Sequence, residues 1–338
     1  MDRAKLFQGL QDRVVTLALT IVVMFVVCSL IWPDKFPTFD NISLVLLNLS
    51  IESIVAVGMM LLLISGMFDL SVGSVVAFSG SIAAYYMYYY GMYTPVAILV
   101  GLGFSAVIGL TNGLLVAKVG INPLIQTLAM MGIVRGLALM IAGAGIQNLP
   151  EDFNAIGQTK ILGLQSPVWF MLIIVAVFSV LVARTVFFRQ FYYIGGNEKA
   201  ANLSGIRVDR VKIIGFVLIS SLAGLAGILL ASRLGAALAT SGRGMELRVI
   251  TAVILGGASL LGGQGKIIGA LLGTLFMGLV SNIMILARVS GYWQEIILGL
   301  ILIVAVAIDI LLKKRAGTTP KNYIQQATAV VSPKKVEA

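Results

Sequence analysis

Residues 14–31 read VVTLALTIVVMFVVCSLI, a run with no charged side chain. At 1.5 Å per residue a helix over this run is about as long as a hydrocarbon core is thick. A basic start, Arg3, Lys5 and Arg13, precedes it, and Trp32-Pro33 follows it. The run lacks a small-x-small cleavage site, and a tryptophan at its end suits a membrane edge, so it reads as an anchor rather than a removable leader.

Moving outward from this run, the same texture continues to Leu312. Hydrophobic residues make up 59% of the 338 positions and charged ones 11%, a balance that a water-facing surface cannot carry. Apolar runs between charges, Gly and Pro predict helices near 14–31, 43–65, 71–90, 95–117, 123–142, 167–187, 211–232, 247–261, 267–287 and 292–312. The expected fold is an all-α integral membrane protein of about ten transmembrane helices. Its domains are a short N-terminus (1–13), a transmembrane unit (14–312) with a polar loop at 189–210, and a basic tail (313–338).

Charge orders the connections. Residues 1–13, 188–210 and 313–338 fall on one side and hold most of the basic residues, whereas loops 32–42 and 143–166 carry Asp34, Asp40, Glu151 and Asp152 against Lys35 and Lys160. By the positive-inside rule the basic side, with both termini, is cytoplasmic. The net charge of +10 therefore belongs to membrane orientation, and no basic domain for nucleic acid is present. With one cysteine, Cys28, and no histidine, thiolate or imidazole metal sites and His-based triads are excluded, and no catalytic residue is expected.

Two segments interrupt the apolar chain, Ser65 to Gly73 and Gly242 to Val249. An acid among glycines at membrane depth predicts a broken or re-entrant helix. Both contain acid-Leu-x-Val, as Asp69-Leu70-Ser71-Val72 and Glu246-Leu247-Arg248-Val249. Downstream, Thr111-Asn112 precedes Lys118-Val119 as Ser281-Asn282 precedes Arg288-Val289. These echoes lie in halves that run in opposite directions, which predicts inverted repeats. Asp69 and Glu246 are expected to brace the breaks, and Glu52 to pair with Arg135. Neutral groups that bond hydroxyls weakly enough to release them make Asn112, Asn122, Gln126, Thr127, Ser281, Asn282 and Gln294 candidates for a solute pathway.

The cluster Gly256 to Lys266 is not a phosphate loop, because Leu260 and Ile267 stand where that motif needs Gly and Ser/Thr. It reads as a tight turn between spans. In the loop, Asn197 is placed to cap a short helix, Glu198 to occupy its favourable first turn and Gly205 to end it. A capped unit of fixed length suits docking.

The loop Gly195-Gly196-Asn197-Glu198-Lys199-Ala200-Ala201-Asn202-Leu203-Ser204-Gly205-Ile206 resembles the coupling loop of ABC importer permeases, in their ribose/monosaccharide (branched-chain amino acid/sugar permease) branch. Gly66 to Ser74, Ile121 to Leu128, and Glu246-Leu247 with Leu255 to Gly265 share the resemblance, which spans about residues 10–315. Met67-Phe68 and Arg248 depart from the family pattern. The resemblance implies a bacterial inner-membrane permease subunit, in a homo- or heterodimer, for a monosaccharide or related small polyol. It implies cytoplasmic ABC ATPase subunits that carry ATP and Mg, a periplasmic sugar-binding protein, and no cofactor on this chain. Gly195, Gly196, Asn197, Glu198, Lys199, Ala200, Ala201 and Gly205 would then form the ATPase-coupling loop. The competing expectation is an ion-coupled secondary transporter of a small polar solute, with Asp69, Glu246 or Glu295 titrating.

Overall fold

The computed structural model describes residues 13–315; the N-terminal residues 1–12 and most of the expected tail, 316–338, lie outside the described residues. The first helix, α1, covers Arg13–Ile31 and leaves Val22, Val26 and Leu30 exposed, as a lipid-facing span should. The second, α2 (Phe39–Ile64), starts earlier than its apolar run. Thr38 caps it by accepting a hydrogen bond from the Asn41 N–H at 3.3 Å, and Asp40 lies in its first turn. Every residue of α2 from Leu49 to Ile64 except Glu52 is buried, so an all-round apolar helix becomes the central column of the bundle.

The chain then forms α3 (Val72–Tyr90), α4 (Thr94–Leu114, prolonged by a π-helical turn Leu115–Val119) and α5 (Pro123–Ala142). Tyr88, Tyr89, Tyr90 and Tyr93 are exposed where α3 gives way to α4, at one end of the bundle, where an interfacial belt belongs. The loop 143–166 is more structured than its sequence predicts. It holds a short helix, α6 (Glu151–Gln158), and a two-stranded hairpin, β1 (Lys160–Ile161) with β2 (Leu164–Gln165), turned by Leu162 and Gly163 at positive φ.

Helix α7 (Ser166–Arg184) stops short of the expected residue 187. Thr185 is extended and caps a new helix, α8 (Val186–Gly196), which is followed by α9 (Glu198–Leu203). Then come α10 (Val208–Leu234), α11 (Met245–Leu255), α12 (Ile267–Leu286) and α13 (Gly291–Arg315). The span expected at 247–261 is shorter, because Gly256 and Gly257 end it and the glycine-rich turn to Lys266 begins there.

Among the described residues eight of these helices are long and apolar enough to cross a membrane, where the sequence predicts about ten; α3 and α11 are not among them, and α11, at 11 residues, is too short to span. The halves α2–α5 and α10–α13 exchange partners. Helix α2 packs on α10, α11 and α12, and α10 packs on α2, α3 and α4. The long first helix of each half thus covers the second and third helices of the other, a reciprocal pairing of two related halves.

Candidate translocation and coupling site

The first break, Ser65 to Ser71, leaves backbone groups inside the bundle that need partners. Asp69, fully buried, supplies them. Its Oδ1 accepts from the Ser71 N–H at 2.7 Å and the Ser71 hydroxyl at 2.5 Å, just before α3 begins. Asn112 on α4 donates to Asp69 Oδ2 at 3.4 Å and to the Ser71 Oγ at 3.2 Å, and accepts from Gln126 Nε2 on α5 at 3.1 Å. A closed chain of donors and acceptors therefore joins the first break to α4 and α5.

This cluster brings together only Asn112 and Gln126 of the seven neutral candidates. Thr127 donates back to the Pro123 carbonyl at 2.8 Å, and Asn122 is exposed and caps α5 through the Leu124 N–H at 2.9 Å. Asn282 lies elsewhere and exchanges two hydrogen bonds with Asn41, at 2.7 and 3.1 Å. Gln294 donates to the Val289 carbonyl at the head of α13, and Ser281 is half-buried on α12. The seven do not form one site.

The second break runs from Gly235 to Gly244, earlier than the expected Gly242–Val249, so Glu246 lies in the first turn of α11 rather than in the break, and it is built differently. Gly242 and Gly244 have φ of 67° and 72°, left-handed values that glycine adopts without strain. Gly242 lies against Gly73 at the start of α3. A methyl at Gly73 would overlap the Gly242 carbonyl oxygen and the Glu246 carboxylate, so the two breaks touch backbone to backbone. Arg135 on α5 reaches over and donates from one nitrogen to the carbonyls of Ala239 at 2.5 Å and Ser241 at 2.8 Å.

Glu52 does not pair with Arg135. It meets Arg248 on α11 at 2.7 Å, because α2 packs against α11, while Arg135 faces the break. The sequence reading also missed Asp309, a buried acid in an apolar helix that pairs with Arg13 at 2.7 Å and ties the last helix to the first. The signal was present, since a lone carboxylate in such a run needs a cation.

At the basic end, α8 and α9 sit across the ends of both halves. Asn197 caps α9 by accepting from the Ala200 N–H at 3.0 Å, Glu198 pairs with Lys212 at 2.7 Å, Ala201 is buried, and Gly205 turns the chain at φ 84°. Gly195 is wedged against the Ile64 carbonyl and the Gly262–Gly263 turn, with no room for a Cβ, whereas a Cβ at Gly196 would meet nothing within 4 Å. Beside the wedge, the Gly263 N–H donates to the Ile64 carbonyl at 2.7 Å, and the Tyr192 hydroxyl donates to the Gly265 carbonyl at 2.8 Å. Burial pushes the Tyr192 phenol above its ordinary pKa, which keeps that donor protonated.

Lys199 and Leu203 project from α9, and Leu203 is 90% exposed. A groove of about 560 Å³ beside them is lined by Lys118, Glu198, Lys199, Asn202, Arg207 and Arg210. Leu203 escaped the sequence reading, although a large apolar residue on a short polar helix marks a contact surface. No group of three or more His, Cys, Asp or Glu able to hold a metal occurs among the described residues.

Comparison with known proteins agrees with this architecture. The family described as "Branched-chain amino acid transport system / permease component" matches residues 41–306. The L-arabinose transport system permease protein AraH of Escherichia coli K12 is 40% identical over 300 residues, which cover 85% of this chain and 87% of that protein. The ribose import permease proteins RbsC of Escherichia coli K12 and Bacillus subtilis 168 are 37% and 38% identical, over 86% of this chain and 92% and 91% of theirs. No solved structure matches the chain significantly. The matched span runs from α2 into α13 and takes in both breaks and the loop between the halves, and the chain belongs to this family of transport-system permease components.

Proposed function

We propose that this chain is the membrane subunit of an ATP-driven ABC importer for a monosaccharide or related small polyol. ATP and Mg are held by separate ATPase subunits on the cytoplasmic side, an external binding protein delivers the sugar, and a second permease subunit completes the membrane part. Relatives named for arabinose and ribose, similar along nearly their whole length, support the sugar class.

The observation that carries the reading is the α8–α9 unit. It offers an exposed leucine and a polar groove outward, while Gly195 seats it directly on the end of α2 and on the turn after α11. A push on α9 thereby reaches a helix of each half. Gly195, Gly196, Asn197, Glu198, Lys199, Ala200, Ala201 and Gly205 act together in this coupling, with Leu203 as the added anchor.

Orientation follows from charge. Arg189, Lys199, Arg207, Arg210, Lys118 and Lys266 gather at the α8–α9 end, so that end, with both chain termini, faces the cytoplasm of a bacterial plasma membrane. An ion-coupled carrier would have no use for such a surface.

Lys199→Glu with Leu203→Asp tests the reading, since both side chains point away from the bundle. The expected result is loss of the co-purifying ATPase subunit with an unchanged melting temperature of the permease in detergent. Full ATPase capture by this double variant would overturn the coupling assignment.

A further inference from the structure

Arg135 and Glu246 flank the second break at membrane depth. Arg135 lies twelve residues into α5, about 18 Å from its start and about 10 Å from its end at Ala142. Glu246 lies in the first turn of α11, beside the Gly73–Gly242 contact and two residues before Arg248, which meets the middle of α2 at Glu52. Both Arg135 and Glu246 are half-buried, and Arg243 in the break is exposed. Ionised groups at this depth cannot face hydrocarbon, so the face that bears them is wet.

Their bonding is incomplete in a particular way. A guanidinium has five N–H donors. One nitrogen of Arg135 serves the two carbonyls of the break, and its other three donors have no hydrogen-bond partner among the described residues. The Glu246 carboxylate receives no hydrogen bond there either. The two form no ion pair within 4 Å, yet both lie at the second break, Arg135 on the Ala239 and Ser241 carbonyls and Glu246 beside the Gly73–Gly242 contact.

By contrast, Asn112 and Gln126, the neutral groups expected in a pathway, spend their amides on each other and on the first break. Resting on the importer reading above, we propose that Arg135 and Glu246 form the polar contact of the translocation pathway. Arg135 donates to the hydroxyl oxygens of a neutral polyol and Glu246 accepts its hydroxyl protons. The ligand is a molecule with several hydroxyls, able to accept from one side chain and donate to the other.

The test has two arms. In a Cys28→Ala background, Gly132→Cys places a thiol one turn from Arg135 on the same side of α5, where nothing lies within 4 Å, and Val22→Cys places one on lipid-facing α1. On the full chain in liposomes, a membrane-impermeant cationic thiosulfonate applied to both sides should modify Gly132→Cys at least about tenfold faster than Val22→Cys. This arm needs no ATPase, so it stands even if the coupling assignment fails.

In the reconstituted complex, Arg135→Gln and Glu246→Gln should each lower the sugar moved per ATP hydrolysed about tenfold. A merely bracing role would lower transport and hydrolysis together and leave that ratio unchanged. Equal reactivity of the two thiols, or wild-type ratios in both glutamine variants, would overturn the proposal.

Discussion

Gly195→Ala should uncouple the loop from the bundle, and the structure sets the size of the effect. The new Cβ would fall on the Ile64 carbonyl oxygen and crowd the Gly263 nitrogen, both of them backbone atoms that cannot swing aside as a side-chain tip would. Helix α8 must lift away instead. The lift pulls the Tyr192 hydroxyl from the Gly265 carbonyl and disturbs the Gly263–Ile64 bond, each worth about 1 kcal/mol net. Steric strain from overpacking adds about 1–3 kcal/mol. A total of about 3–5 kcal/mol shifts the docked position of α8 by roughly 150- to 5000-fold. Gly196→Ala is the internal control, because open space surrounds that position and alanine is the better helix former. Hydrogen exchange of residues 186–204, with ATPase-coupled uptake, reads the outcome. Gly195→Ala should lose protection and transport while Gly196→Ala keeps both. Matching exchange and uptake in the two variants would refute the wedge.

Two further predictions concern the intramembrane bonds. Glu52→Gln removes the carboxylate from Arg248, and because both partners keep some exposure (21% and 28%) the loss should be about 1–3 kcal/mol rather than the larger cost of a sealed pair; Arg248→Met in the same background should recover much of it in thermal unfolding. Asp69→Asn sets an amide donor against that of Asn112 and should cost about 1–3 kcal/mol, whereas Asp69→Asn with Asn112→Asp restores one donor to one acceptor; a double variant no more stable than Asp69→Asn alone would contradict the pairing.

Much of this fold is legible in the sequence because a membrane turns it into a problem of lengths. A run such as 14–31 must span, whatever it packs against. The Asn197 cap and the Gly205 turn are local too, and both stand as their residue types require. Readings that depend on which faces meet are harder. Glu52 and Arg135 are complementary on paper, but α2 turns Glu52 toward α11, and only the fold makes Arg248 its partner. Asn282 looks like the counterpart of Asn112, yet its amide faces Asn41 and has no place in a break. The split at Thr185 is hidden because apolar residues continue through Phe187 and Phe188, which belong to α8 and pack against the core instead of prolonging α7. In each case hydropathy records that a residue is buried and leaves its neighbour unspecified.

The two breaks obey one rule by different means, and the difference separates structure from transport. A chain that leaves the helix inside a membrane must find partners for its freed backbone groups. At the first break a buried acid closes the account locally, with Ser71, Asn112 and Gln126 completing the chain of bonds. Neutral polar residues are used up in that closure, so sequence polarity alone is a poor guide to the pathway. At the second break the freed carbonyls of Ala239 and Ser241 take a long cation from another helix, and positive-φ glycines let the chain fold without a side chain of its own to seal it. A cation that reaches across keeps donors to spare. The break that leaves donors to spare is therefore the one able to exchange hydrogen bonds with a passing solute, while the bonds of the first break tie α3, α4 and α5 together within one half.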